Sequence, residues 1–205
     1  MSSSKAERQQ QNLHRLIMVS DGVFAIAMTL LAIEIHPPEH WTGNTQALVN
    51  SMLPMLSAYA ISFAAIGGYW VGHRRAFSFI THADGWIVAM NFLVLALVAL
   101  LPAGVELIYA NGARGIGLTA YLGLIAAIGA AQGLMWGYAV VRRLVDPAVT
   151  PAYGLVSSLS SILIPVISAG SVFYALGAKA WWPLVIAVAV IVVLGGLRRR
   201  LSPDR

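Results

Sequence analysis

The sequence predicts an all-α integral membrane protein with six transmembrane helices per subunit, both termini cytoplasmic, built as a single repeat. Three observations carry this. Of 205 residues, 59% are hydrophobic and only 10% charged, against roughly half and a quarter in soluble domains. The apolar residues fall in six windows, near 13–35, 47–72, 84–105, 114–141, 153–177 and 180–197, each close to or above the roughly 18 to 20 residues that cross a hydrocarbon core. Along a six-span path Lys5, Arg8, Arg15, Arg74, Arg75, Arg142, Arg143, Arg198, Arg199, Arg200 and Arg205 lie on one side, and only Arg114 and Lys179 on the other. Basic residues are retained on the cytoplasmic face, which sets the orientation and favours an even number of spans.

These totals exclude several classes of function. Six helices consume nearly the whole chain, so little is left for a soluble catalytic domain. Cysteine is absent, which removes thiol nucleophiles, thiolate metal sites and disulfides. The net charge of +5 does not make nucleic acid a partner, because the charges sit at span ends where anionic lipid accounts for them. Residues 1–12 read as a polar cytoplasmic tail, 13–197 as the six-helix transmembrane domain and 198–205 as a basic cytoplasmic tail, in a multi-pass protein of the cell membrane. A cleavable signal peptide is disfavoured: the first apolar run is interrupted by Ser20 and Asp21, is longer than an h-region, and ends in IEIHPPEH with no small-x-small site.

In chain order, MSSSKAERQQQN is polar and expected to fray. Helix one ends at Pro37 and Pro38, which cannot continue it, and 36–46 forms an extracellular loop. Helix two, about 47–72, holds Pro54 and Gly67-Gly68, which predict a kink or a close approach. A basic cytoplasmic connection, HRRAFSFITHADG, leads to helix three, which ends near Pro102. Helix four carries Gly129, Gly133 and Gly137 four residues apart, a stripe that lets another helix come close. Asp146-Pro147 and Thr150-Pro151 bracket the next turn. Helix five is rich in serine and is expected to break at Pro165, and helix six is nearly featureless Val, Ile, Ala and Leu.

Two motifs are decoys. Gly115-Ile-Gly117-Leu-Thr-Ala120 matches a dinucleotide fingerprint, which has meaning only between a strand and a helix; here it opens a membrane helix and reads as packing. His36-Pro-Pro-Glu39-His40 has the H-x-x-E-H spacing of a zinc site, but that site needs a helix to align its histidines, and two prolines forbid one. With no nucleophile elbow and no P-loop, the chain is not read as an enzyme.

Ionisable residues inside a membrane are costly unless paired or hydrated, and here they gather at one depth. Arg15, Ser20 and Asp21 lie at the cytoplasmic end of helix one, Trp70 and His73 at that of helix two, Asp84 at the start of helix three, and Asn91 two turns deeper. A hydrogen-bonded network tying these three helices together is physically economical; a site that touches ions stays open beside it. Ser20-Asp21 could instead cap a helix beginning there, but from Asp21 to Ile35 such a helix would span only about 22 Å, short of the core. After Asp21, Gly22, Ile26, Thr29 and Ile33 fall within an arc of about 60° at 100° per residue, with Leu30 beside it. That stripe fits either a packed core or the lining of a pore.

Arg15-Leu-Ile-Met-Val19-Ser20-Asp21, followed by GVFAIAMTLLAIEI, resembles the R-x-x-x-F-S-D signature of the transmembrane protein 175 family of potassium channels, prokaryotic branch. YWVGHRRAFSFITHADGWIVAMNFLVLALVALLP is similar to that family's helix two to helix three region, with Trp70, His73, Phe77, Asp84, Asn91 and Pro102 in register. Together the blocks cover most of 14–102, while the C-terminal half matches only in hydropathy. Val19 departs from the signature, which has Phe there. The resemblance implies a homotetramer in which helix one of each subunit lines a central cation pathway without a TVGYG filter, and none occurs here. It implies further that Ile26, Leu30 and Ile33, at five, nine and twelve residues after the motif aspartate, constrict the pore, that Thr29 offers its hydroxyl to the ion, and that Arg15, Ser20, Asp21, Trp70 and His73 hold helix one in place.

The expected function is therefore a potassium-preferring channel gated by a hydrophobic constriction, passing K+ and other monovalent cations. No cofactor is called for, and no metal beyond K+ in transit. Two other readings stay open: a proton-coupled transporter using Asp21, His73 and Asp84 as a relay, and a membrane scaffold that conducts nothing.

Overall fold

The computed structural model describes residues 2–36, 43–111, 116–178 and 182–203. All the regular structure there is helical: α1 (Ser2–Ile33), α2 (Thr45–Phe79), α3 (Gly85–Ala99), α4 (Leu101–Asn111), α5 (Ile116–Val141), α6 (Pro151–Ala178) and α7 (Trp182–Leu201). Seven helices occupy six apolar windows because the third window divides at Leu100. Pro102 has no N–H to give the carbonyl one turn back, and the Leu100 N–H turns instead to Leu97 and Val98. Across the break, Gly85–Ile108 remains a single apolar run, and with Glu7–Ile33, Thr45–Phe79 and Ile116–Val141 it makes four segments long and apolar enough to cross a membrane among the described residues.

Helix α2 runs on to Phe79, so the first half of the expected connection HRRAFSFITHADG is helical, its residues from His73 to Phe79 extending the helix already formed, and two further expectations are corrected. Helix α1 begins at Ser2, so the polar leader continues the helix instead of fraying. Its Ala, Glu, Arg and Gln residues are good helix formers, and extending an existing helix avoids the cost of nucleation. Helix α6 runs through Pro165 unbroken; prolines are tolerated in membrane helices because neighbouring groups satisfy the freed carbonyl. Pro37, Pro38, the His36–His40 spacing beyond His36, Arg114, Gly115, Lys179 and Arg205 lie outside the described residues.

Helix α5 is the pivot of the bundle, packing on α3, α4 and α6, while α1 lies against α2, α3 and α4, and α7 rests on α6. The glycine stripe explains the closest of these approaches. A Cβ on Gly129 would lie 2.5 Å from the Ser161 carbonyl oxygen, and one on Gly133 2.9 Å from that of Ser158, so α6 can reach the α5 backbone only where side chains are missing. Gly117 plays the same part toward the Leu107 carbonyl of α4.

At one end of the bundle two connections are stitched together. Thr81 N–H donates to the Leu144 carbonyl at 2.9 Å and Asp146 N–H to that of Phe79 at 2.8 Å, around an isolated bridge between Ile80 and Val145. Arg75 joins the same end to the chain terminus, donating to Tyr153 Oη at 3.1 Å and to Ser202 Oγ at 2.9 Å.

Candidate ion pathway and its polar support

Helix α1 has two faces. Leu16, Ser20, Phe24, Ala27 and Leu31 recur at helical spacing and are buried against the bundle, with Phe24 fully enclosed. The opposite face is left open by the chain's own packing: Ile26 is 59%, Ile33 63% and Leu30 39% exposed, with Thr29 among them. The Thr29 hydroxyl donates to the Ile26 carbonyl at 2.8 Å, which fixes its rotamer and leaves oxygen lone pairs free to accept or to meet a cation.

The expected support residues separate into three groups. The most enclosed is a chain through Ser20, Asn91 and His73, each at most 1% exposed. Ser20 Oγ donates to the Leu16 carbonyl at 2.8 Å and accepts from Asn91 Nδ2 at 3.0 Å. Asn91 Oδ1 lies 2.7 Å from His73 Nε2; since an amide oxygen only accepts, Nε2 carries the proton. The His73 ring stacks on Phe77 at 4.5 Å and leans on Phe24 at 5.4 Å. One hydrogen-bonded line thereby joins α1, α3 and α2.

A second group holds the same turn of α1 from its rim. Trp70 Nε1 donates to Asp21 Oδ1 at 2.7 Å, and the Arg74 guanidinium stands 5.0 Å over the Trp70 ring. A cation above the indole polarises its N–H, which suits donation to a carboxylate.

Asp84 belongs to a third group. It caps α3, accepting from the Ile87 N–H at 2.9 Å, and receives the Tyr138 hydroxyl of α5 at 2.8 Å. Desolvation pushes its carboxyl upward, but the Ile87 amide, the Tyr138 hydroxyl, the Trp86 amide and the Arg142 charge together outweigh this and hold it below the usual carboxylate range. Arg15 joins none of the three. It is exposed and, seven residues before Gly22, stands on the open face of α1 rather than toward α2 and α3.

Several contributors were not foreseen. Gln132 Nε2 donates to the Tyr69 carbonyl at 3.1 Å, Tyr69 Oη to that of Ile125 at 2.6 Å, and Ser62 Oγ pairs with Tyr121 Oη at 2.8 Å. These bonds lock α2, the support of α1, to α5. The available signal was Gln132, an amide inside an otherwise apolar span, since polar side chains within membrane helices bond across helices.

Comparison with known proteins places the chain among similar sequences and folds. Residues 15–102 match the family described as endosomal/lysosomal potassium channel TMEM175. A potassium channel of Streptomyces collinus is 31% identical over 183 residues, covering 86% of this chain and 82% of its own. One of Chamaesiphon minutus is 35% identical over 137 residues, covering 64% and 68%. The crystal structure of a lysosomal potassium-selective channel TMEM175 homolog from Chamaesiphon minutus superposes with a TM-score of 0.66 at 28% identity, over 95% of this chain and 100% of that one.

Proposed function

The chain belongs to the TMEM175 family of potassium channels, a family of channels and not of enzymes, and from that premise we propose that it conducts K+ across the cell membrane as a homotetramer. The α1 helices of four subunits surround the axis, and the six apolar segments each cross the bilayer with both termini inside. Rings of Ile26, Leu30 and Ile33 narrow the path enough to dewet it, which blocks ions until the rings part. Thr29 supplies a ring of oxygens that partly replaces the hydration shell of K+, and other monovalent cations pass less readily. The buried Ser20–Asn91–His73 chain and the Asp21–Trp70 bond hold the base of α1 so that the rings stay in register.

The observation that supports this reading most directly is the open apolar face of α1. A membrane helix whose one face is packed into the subunit and whose other carries exposed Ile26, Leu30 and Ile33 around a hydroxyl fits a shared axis. A single six-helix unit without inverted halves also favours a path between subunits over one within a subunit.

The test is K+ flux from proteoliposomes together with the mass of the detergent-solubilised complex, for the wild type and Ile26→Asn. The wild type should be a tetramer and conduct K+, and the asparagine should raise leak and relax selectivity. Unchanged currents in Ile26→Asn would take α1 out of the pore. Saturable flux driven by a pH gradient would favour a proton-coupled carrier, and no flux at all a scaffold.

A further inference from the structure

Between α2, α5, α6 and α7 lies a cavity of about 10 Å³ lined by His73, Gln132, Trp136, Ser157, Ser161 and Arg198. We infer that it binds one structural water molecule, and that this water links Arg198, at the basic end of α7, to α2 and α5.

Two donors carry the inference. Trp136 is only 2% exposed, yet its Nε1–H meets no acceptor among the described residues, and neither does the shielded Nε–H of Arg198. Buried donors without a partner are rare, and two lining one cavity demand a shared acceptor. The same walls supply oxygens. Gln132 commits its Nε2 to the Tyr69 carbonyl, which leaves Oε1 as an acceptor beside Gly72, where an added Cβ would lie 3.7 Å from it. Ser161 Oγ donates to the Ser157 carbonyl at 3.0 Å and keeps its lone pairs.

Water matches this set in number as well as size. It accepts two hydrogen bonds and donates two, meeting two orphan donors and two acceptor oxygens, and one water needs roughly 10 to 15 Å³ of this kind of space. A phosphate or carboxylate group is too large. A single halide would suit the donors but would face the Gln132 oxygen with no proton to offer. Helix α7 packs mainly on α6 and is held to α2 just past its end by Arg75 and Ser202; the bridge adds a link from Arg198 to α5 and α2.

The experiment uses the full-length protein in lipid nanodiscs with 15N-labelled tryptophan, the Trp136 indole signal being assigned by its loss in Trp136→Phe. A cross-relaxation peak between the Trp136 indole proton and water is expected, weakened several-fold in Arg198→Met and in Ser161→Ala, with the other indoles unchanged. Replacing chloride by gluconate should leave the Trp136 signal where it is. The absence of a water peak in the wild type would overturn the inference, as would a Trp136 shift that follows chloride concentration, which would assign the cavity to an anion.

Discussion

The indole N–H of Trp70 donates to Asp21 Oδ1 at 2.7 Å, one residue along α1 from the fully buried Ser20, so the helix is held at neighbouring positions by two different neighbours. Trp70→Phe deletes the donor and leaves a carboxylate at the bundle rim without it. A hydrogen bond to a charged group contributes about 1.5–3 kcal/mol, and Asp21 is only half-buried, which points to the lower end of that range. Asp21→Asn keeps an acceptor oxygen in place and should cost less. Thermal unfolding of the detergent-solubilised protein reads both, and a larger loss for Asp21→Asn than for Trp70→Phe would contradict this assignment.

Asn91 is the middle link between Ser20 and His73. Side-chain hydrogen bonds between membrane helices average only about 0.6 kcal/mol, whereas a buried polar group left without a partner costs about 1–3 kcal/mol. Asn91→Leu strands the His73 N–H and should therefore lower stability by about 2 kcal/mol. Ser20→Ala should cost about 1 kcal/mol or more, because it strands the buried Asn91 Nδ2–H that donates to the serine oxygen at 3.0 Å. In a double-mutant cycle the serine substitution should become nearly silent once Asn91 is gone; additive losses would mean that the two do not act as one chain.

The residues of these two predictions were legible before any coordinates because they are local to α1 or share a depth with it. Periodicity alone placed Ile26, Thr29, Leu30 and Ile33 on one face of α1, and the open side of the helix carries that set. Depth was a poorer guide than azimuth. Arg15 shares a slab with Asp21 but stands two turns below Gly22 on the open face, and Asp84 shares it with His73 yet bonds to Tyr138 of α5. Partners from the C-terminal half, Tyr138 and Trp136 among them, were illegible because an apolar span announces that it is a span and not which neighbour it meets. Pro102 was visible, but its effect, a break within one apolar run rather than the end of it, depends on how Leu100 redirects its N–H.

Asp84 should make stability depend on pH in the acid range. Its carboxyl lies below the usual range when folded, so its contribution is fully present above the ordinary aspartate value of about 3.9 and is lost as pH falls through that value toward the folded one. Melting temperature should be flat near neutrality and begin to fall below about pH 4. Asp84→Asn and Tyr138→Phe should each flatten the difference between neutral and acid stability. A wild type and an Asp84→Asn protein with parallel acid profiles would place the sensitive carboxylate elsewhere.

Two glycines of α5 make opposite predictions from one substitution. Gly129→Ala would set a methyl group 2.5 Å from the Ser161 carbonyl oxygen, and since that atom is backbone, α6 itself must move; overpacking of this kind costs about 1–3 kcal/mol. At Gly123 an added Cβ meets nothing within 4 Å, so Gly123→Ala should gain up to about 1 kcal/mol of helix propensity. Unfolding measurements on the pair would reverse this reading of the α5–α6 contact if Gly129→Ala were the better tolerated of the two.

Thr29 separates the two parts of the proposed pore. Its hydroxyl proton is held by the Ile26 carbonyl at 2.8 Å, so only its oxygen is available to a passing ion, and a side chain of the same shape without that oxygen should alter ion preference while leaving the apolar gate intact. Thr29→Val is expected to conduct but to lose several-fold of the preference for K+ over Na+, because a partly dehydrated cation finds no oxygen at that ring. Thr29→Ser, which keeps the oxygen, should stay close to wild type. Reversal potentials under K+/Na+ bi-ionic conditions in a planar bilayer decide this: a Thr29→Val potential equal to that of the wild type would remove the hydroxyl from the ion's path and leave the constriction at Ile26, Leu30 and Ile33 to be judged by Ile26→Asn alone.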